Sequence, residues 1–79
     1  MKLWLISQTE NTGYDTYDAA VVIAFTVKDA QQMHPSGDGG DWNRSGCWAS
    51  NPKYVRIKYL GEAASGSEPG VVLSSCNDG

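Results

Sequence analysis

Ala19-Ala-Val-Val-Ile-Ala-Phe25 is the longest apolar run in the chain, and it is the segment that decides the fold. Its β-branched residues and polar flanks predict a buried strand. Alternation places Val21 and Ile23 on one side of that strand. The small side chains of Ala20 and Ala24 lie on the other side, where they leave room for close packing. The run is far shorter than the roughly 20 residues of a membrane-spanning helix, so we expect no membrane partner.

The chain before this run predicts a second strand and a loop. Lys2–Ser7 alternates with apolar residues on both faces, which is typical of a central strand with little exposure. Gln8–Asp18 collects turn-forming residues and has no apolar period. We therefore expect a loop of roughly ten residues between the two strands.

The chain after the run predicts one short helix. Thr26 is a suitable N-cap, and Asp29 stands where an acidic residue favours a helix start. The helix is expected over Val27–His34, ended by Pro35. Its buried stripe is expected to comprise Val27, Ala30 and Met33 or His34.

Two further strands complete the expected fold. Lys53–Leu60 alternates cleanly, and Val71–Cys76 forms a last strand after the loop Gly61–Gly70. Within the third strand we expect Val55, Ile57 and Tyr59 inward and Arg56 and Lys58 outward. The order β-β-α-β-β gives an α+β fold, a mostly antiparallel four-stranded sheet with one short helix. We expect one small domain over residues 1–79, with a long Trp-containing loop at 35–52.

Composition indicates a soluble globular protein with an uneven charge. The 79 residues are 41% hydrophobic and 19% charged, with a net charge of −3. Residues 1–41 carry −4 and residues 42–79 carry +1. This acidic balance argues against direct nucleic-acid binding, although an acidic face can meet a basic groove on another protein. A chain this short also gains stability from self-association, so a homo-oligomer is compatible with it.

The loop at 35–52 carries Trp42, Arg44 and Trp48, which argue against disorder because disordered segments are poor in aromatic residues. Trp and Arg dominate protein-binding hot spots, and aromatic rings also stack nucleobases. The alternative is that one or both tryptophans fold back over the sheet side left open by the two alanines. The sequence leaves both interpretations open.

Further candidate positions are charged or aromatic. Arg44 pairs with a carboxylate or phosphate of a partner, or else forms a salt bridge to Asp15 or Asp41. The block Tyr14, Asp15, Tyr17 and Asp18 receives basic groups of a partner, hydrogen-bonds a small ligand, or forms a structured hairpin loop. For Asp18, next to the strand, we expect the structural role of a side-chain to backbone turn. The basic residues Lys53, Arg56 and Lys58 form a solvated face or an anion site. The candidate partner-binding residues are therefore Trp42, Arg44, Trp48, Tyr14, Asp15, Tyr17 and Asp41.

The sequence contains no recognisable catalytic or metal-binding motif. His34, Asp38, Asp41 and Cys47 match no zinc or calcium spacing. A thiol nucleophile formed by Cys47 with His34 lacks a residue to orient the histidine. We expect no enzyme activity, no metal and no cofactor.

Several short blocks in a fixed order carry a resemblance. They are MKLWLISQ at 1–8, YDTYDAAVV at 14–22, MHP at 33–35, the loop tryptophans, YLGEA at 59–63, and GVVLSS at 70–75 with Asn77 and Gly79. Together they resemble a group of small uncharacterised proteins of tailed bacteriophages and prophages, over essentially the whole chain. The resemblance implies a phage or prophage origin and a host bacterial cytoplasm, and it implies no activity.

In size and acidic character the chain is also similar to anti-CRISPR proteins, which commonly act by stoichiometric binding. Our first hypothesis is a phage-encoded inhibitor of bacterial defence that binds an effector complex and blocks its binding of nucleic acid. The acidic N-terminal half would meet basic residues of the bacterial defence protein. The alternative hypothesis is an oligomeric sponge for a nucleotide immune signal, with Trp42 and Trp48 around the base.

Overall fold

The computed structural model describes residues 1–12, 16–36 and 48–77. These residues form one four-stranded sheet with the order β3-β1-β2-β4, and each neighbouring pair is antiparallel. The α+β class is confirmed. The elements are β1 (Lys2–Ser7), β2 (Thr16–Ala24), helix α1 (Val27–Gln31), a 3₁₀ turn (Pro52–Tyr54), β3 (Arg56–Glu62) and β4 (Gly70–Asn77).

The expected order β-β-α-β-β needs a correction, because the 3₁₀ turn stands between α1 and β3. Lys53 and Tyr54, which we expected in the third strand, belong to this turn. Asn51 caps it by accepting a hydrogen bond from the Lys53 N–H, and Pro52 supplies a first position that needs no N–H partner. β3 consequently begins at Arg56 and extends to Glu62.

β1 has the expected bounds and is central, whereas β2 begins at Thr16 inside the expected loop. The register between β2 and β4 shifts between Tyr17 and Ala19, so Asp18 is an extra residue. This β-bulge lets Tyr17 pack against the same core as Ala20, although residues three apart in an unbroken strand lie on opposite faces. The turn-forming residues there are accommodated by a bulged strand.

The helix is shorter than expected and ends at Gln31. The Thr26 cap is confirmed, since its side chain accepts a hydrogen bond from the Asp29 N–H at 3.1 Å. Ala30 is fully buried, but Val27 is 51% exposed, so its place in the buried stripe was wrong. A helix of five residues turns only one position squarely into the core. Met33 bonds back to Ala30 with 3₁₀ spacing, and the chain has left the α-helix before Pro35.

The two faces of the sheet differ in what covers them. The covered face carries Trp4, Ile6, Ala20, Val22 and Ala24, all buried. Ala30 of α1 packs on it together with Trp48, Ala49 and Val55 from the returning chain. The open face carries the alternate residues Leu3, Leu5, Val21, Ile23 and Leu73. Within the described ranges, no helix lies against the open face.

Candidate functional site

The open face is an apolar surface built by strand alternation. Leu5 pairs with Val21 and Val21 pairs with Leu73, so one row of large apolar side chains crosses three strands. Leu3 pairs with Ile23 in the row next to it. Both central strands are apolar on their two faces, and one short helix covers only one of those faces. The result is an apolar sheet surface that the described residues leave open.

Exposure confirms that this surface reaches solvent. Leu73 is 68% exposed, while the central side chains are half-buried by their neighbours. A shallow groove of about 310 Å³ runs between β1, β2 and β4. Large contiguous apolar patches on a protein surface often mark interaction sites. The groove is lined by Leu5, Ala19, Ala20, Val21, Leu73, Ser74 and Ser75.

Positive charge borders the open face along one edge strand. Ile57 packs against the core, and Tyr59 meets the Trp4 ring edge-on with centroids 5.5 Å apart. Alternation therefore directs Arg56 and Lys58 toward the open face, as expected for the outward side of this strand. The opposite edge strand, β4, carries no charged residue between Gly70 and Asn77. The open face is thus apolar at its centre and cationic at its β3 border.

Trp48 lies in the core beneath the covered face. Its side chain is 0% exposed, and it clusters with Ala20 and Ala24, the two alanines whose small size leaves room for it. A direct contact with a partner, or a base held between Trp42 and Trp48, would require this ring to leave the core. The arrangement found is the fold-back alternative that the sequence had left open.

A buried amide fixes the segment that carries Trp48. Gln8 is 2% exposed and donates to the carbonyl oxygens of Asn11 at 2.7 Å and Tyr17 at 2.8 Å, while its Oε1 accepts from the Asn11 N–H at 2.7 Å. Asn11 in turn donates through Nδ2 to the Trp48 carbonyl at 3.1 Å. Ser50 donates its N–H and hydroxyl to Glu10. The loop after β1 therefore clamps the returning chain onto the core.

Tyr17 and His34 also lie on the covered side. His34 is 8% exposed, and its ring meets Tyr17 edge-on at 6.3 Å and Trp48 at 6.5 Å between centroids. Its Nδ1 accepts the Ser36 N–H at 3.2 Å and lies 2.8 Å from the Ser36 hydroxyl. Tyr17 is half-buried against this cluster, so its ring supports the core and presents only part of its surface to solvent.

The remaining candidate residues lie outside the part of the chain that the structure describes. Outside the described residues lie Trp42, Arg44, Tyr14, Asp15 and Asp41, together with Asp38 and Cys47 from the set weighed for metal binding. Within the described residues, no three His, Cys, Asp or Glu side chains come together as metal ligands. In that same part of the chain, no helix has the length and apolar character needed to cross a membrane.

Tyr59, on the β3 edge, has a hydroxyl whose pKa is raised above the ordinary tyrosine value. Desolvation raises the pKa of its hydroxyl, and both its hydrogen bond to Glu62 at 3.2 Å and the charge of that carboxylate act in the same direction. The side chain is 51% exposed at the β3 edge. A neutral, hydrogen-bonded phenol at an exposed edge suits recognition better than proton transfer near neutral pH.

Sequence reasoning missed the open face, although a signal for it was present. Leu3 and Leu5 alternate with Trp4 and Ile6, and the run from Ala19 to Phe25 is apolar on both sides. Strands that are apolar on both faces need a cover on each, and the sequence supplies one short helix. That imbalance between apolar faces and covering elements predicts an unpaired sheet face.

No protein-family model, no curated protein and no solved structure matches this chain.

Proposed function

We propose that this protein acts without catalysis, by stoichiometric binding to a protein of a bacterial defence system, as a phage-encoded inhibitor in the host cytoplasm. The single observation that supports this most is the open face, an apolar sheet surface bordered by the cations of β3. The resemblance to tailed-phage proteins supplies the biological setting, and the similarity in size and charge to anti-CRISPR proteins supplies the class of target.

The open face has the properties of a docking surface. Its central side chains Leu5, Val21 and Leu73 stand on hydrogen-bonded strands, so their positions are set before binding and little ordering entropy is lost. Arg56 and Lys58 at the border would set the orientation of the partner, because they repel its basic nucleic-acid groove. The effector complex would bind through an apolar strip, and its nucleic-acid site would be blocked by the bulk of the bound inhibitor.

The acidic residues Asp15 and Asp41 remain part of the proposal as a second contact. They belong to the half of the chain that carries −4, and a basic nucleic-acid groove would attract that half. Charge reversal at either position should slow association, with a smaller effect at high salt. Unchanged association rates in both variants would remove electrostatic attraction from the mechanism.

The test is protection of a phage from a CRISPR-Cas system in cells that express the protein. Leu73→Asp places a charge at the centre of the open face and should abolish protection. Val27→Asp is the matched control, because Val27 is 51% exposed on helix α1 at the other side of the molecule and receives the same charge. Loss of protection in both variants, or in neither, would contradict docking through the open face.

A parallel thermal-shift assay with cyclic nucleotides separates the inhibitor from the sponge. A protein that binds a nucleotide in its folded state is stabilised by several degrees at saturating ligand. We expect no such shift. A clear shift of the melting temperature would favour sequestration of a nucleotide signal.

A further inference from the structure

The open face is an apolar sheet face with no second layer packed on it among the described residues. Domains are built from at least two packed layers, and here the second layer lies only on the covered face. Within residues 1–12, 16–36 and 48–77, nothing forms a second layer over the open-face residues Leu3, Leu5, Val21, Ile23 and Leu73. A sheet face with this composition is completed in other proteins by a second sheet packed about 10 Å away.

We propose that a second copy of this chain provides that sheet, so that two open faces pack together into a β-sandwich homodimer. The inference rests on the proposed function only in treating the open face as an interface. It identifies what occupies the open face before the target binds. The target would then bind by displacing the second copy.

The area of the face fits a weak dimer. Four strands spaced about 4.8 Å apart and about six residues long give a face of roughly 20 by 20 Å. Two such faces in contact bury on the order of 1,000 Å² in total, close to the lower limit for a specific interface. A dimer of this size would dissociate at low concentration, as an exchange with a target requires.

The charges select one orientation of the two copies. With a two-fold axis parallel to the strands and midway between the sheets, β3 of one copy lies opposite β4 of its partner. Arg56 and Lys58 then face a strand without charged residues. An axis across the strands would instead place the two β3 strands opposite each other and bring the four cations together, which is unfavourable.

Asp18 adds complementarity to this orientation. Ser7 pairs with both Arg56 and Ala19, so these two residues share one row of the sheet. Asp18 is exposed next to Ala19, at the bulge of β2. In the selected orientation, Arg56 of each copy lies opposite the partner's Ser75 on β4, which pairs with Ala19, so the partner's Asp18 stands about one strand away. We expect each Arg56 to pair with the partner's Asp18, a contact that occurs twice in the dimer.

The experiment is sedimentation equilibrium of the purified protein from about 1 to about 500 µM, a range that brackets a weak dimer. Wild type should shift from the 8.5 kDa monomer to twice that mass. Leu73→Asp should raise the dimer Kd about thirtyfold or more, as expected for a central interface residue. Val27→Asp should leave the Kd unchanged. Circular dichroism checks that each variant is folded. If Leu73→Asp unfolds, Leu73→Ser replaces it as the interface variant.

The orientation is tested by a charge exchange. Arg56→Glu should weaken the dimer, and combining it with Asp18→Arg should restore it. A wild type that stays monomeric over the whole range, or a dimer insensitive to both Leu73 variants, would overturn the homodimer. Failure of the double variant to recover would overturn the stated orientation.

The same samples separate this inference from the proposed function. A monomeric wild type whose phage protection is lost in Leu73→Asp leaves the inhibitor standing and removes the dimer. A dimer without any protection leaves the dimer standing and removes the inhibitor.

Discussion

Val21 and Val22 are neighbours on β2, yet one faces the open side of the sheet and the other is completely buried on the covered side. The two faces use similar apolar residues for different purposes. On the covered face, the apolar side chains meet Trp48 and Ala30 and stabilise the monomer. On the open face the described residues place no layer over them, so the same chemistry is available for the proposed association. Apolar content alone therefore does not distinguish a core from an interface.

The largest effect should come from Trp48, the largest fully buried side chain. Trp48→Ala leaves a large cavity against Ala20 and Ala24, and we expect a loss of about 4 kcal/mol in the free energy of unfolding. Urea unfolding followed by circular dichroism measures it. A loss smaller than about 1 kcal/mol would mean that the covered face does not depend on this ring. The variant would report on folding, and it is unsuitable as a test of an interface.

Gln8 should give the next largest effect, because it closes the covered face with a buried hydrogen-bonded amide. Gln8→Met keeps the length of the side chain but leaves the Asn11 N–H and two carbonyl oxygens without this partner. We expect a loss of about 3 kcal/mol. Gln32→Met is the matched control, since Gln32 is exposed, and its effect should stay within about 0.5 kcal/mol. Equal effects of the two changes would show that the clamp is not stabilising.

The valine pair tests the comparison directly. Val22→Thr buries a hydroxyl on the covered face and should cost about 2 kcal/mol, whereas Val21→Thr on the open face should cost about 0.5 kcal/mol or less. The measurement is denaturant unfolding at a protein concentration low enough to keep the chain monomeric. Similar costs at the two positions would mean that the open face is covered within the monomer, which would remove the basis of the proposed interface.

The smallest effect concerns Tyr59 at the β3 edge. Its raised pKa means that the folded state holds the phenol proton to higher pH than the unfolded chain does. The corresponding stability is fully present below the ordinary tyrosine pKa of about 10 and is lost as pH rises through the folded-state value. Ultraviolet titration of the tyrosines measures this pKa once the titration curve of Tyr59→Phe is subtracted. We expect the pKa of Tyr59 to be lower in Glu62→Gln than in the wild type. An unchanged value would assign the shift to desolvation alone.

Local features were predictable because they depend on neighbouring residues. The Thr26 cap needs only the Asp29 N–H three residues on, and the bounds of β1 follow from its uninterrupted apolar pattern. The beginning of β2 was missed because Thr16, Tyr17 and Asp18 belong to a stretch rich in turn-forming residues, and only pairing with β4 across the bulge at Asp18 places them in the sheet. Val27 was misplaced because the helix ends after five residues, before a full stripe can form.

In the candidate site too, some features follow from local sequence patterns and others depend on long-range contacts. The sequence showed that Trp48 either anchors a partner or fills the space over Ala20 and Ala24, and local pattern could not decide between them. The decision comes from hydrogen bonds that join distant positions, Asn11 to Trp48 and Glu10 to Ser50. Such long-range contacts have no periodic signature. The open face, in contrast, was implied by two strands that are apolar on both sides.

The sequence by itself determined the α+β class, the four strands, the helix cap and the excess of apolar faces over covering elements. These features follow from alternation, capping and composition, which act over a few residues. Only the tertiary structure decided which face α1 covers, that Trp48 belongs to the core, and that Leu5, Val21 and Leu73 form one row on the open face. Those outcomes depend on strand order and register, which arise when residues far apart in the chain compete for the same buried surface.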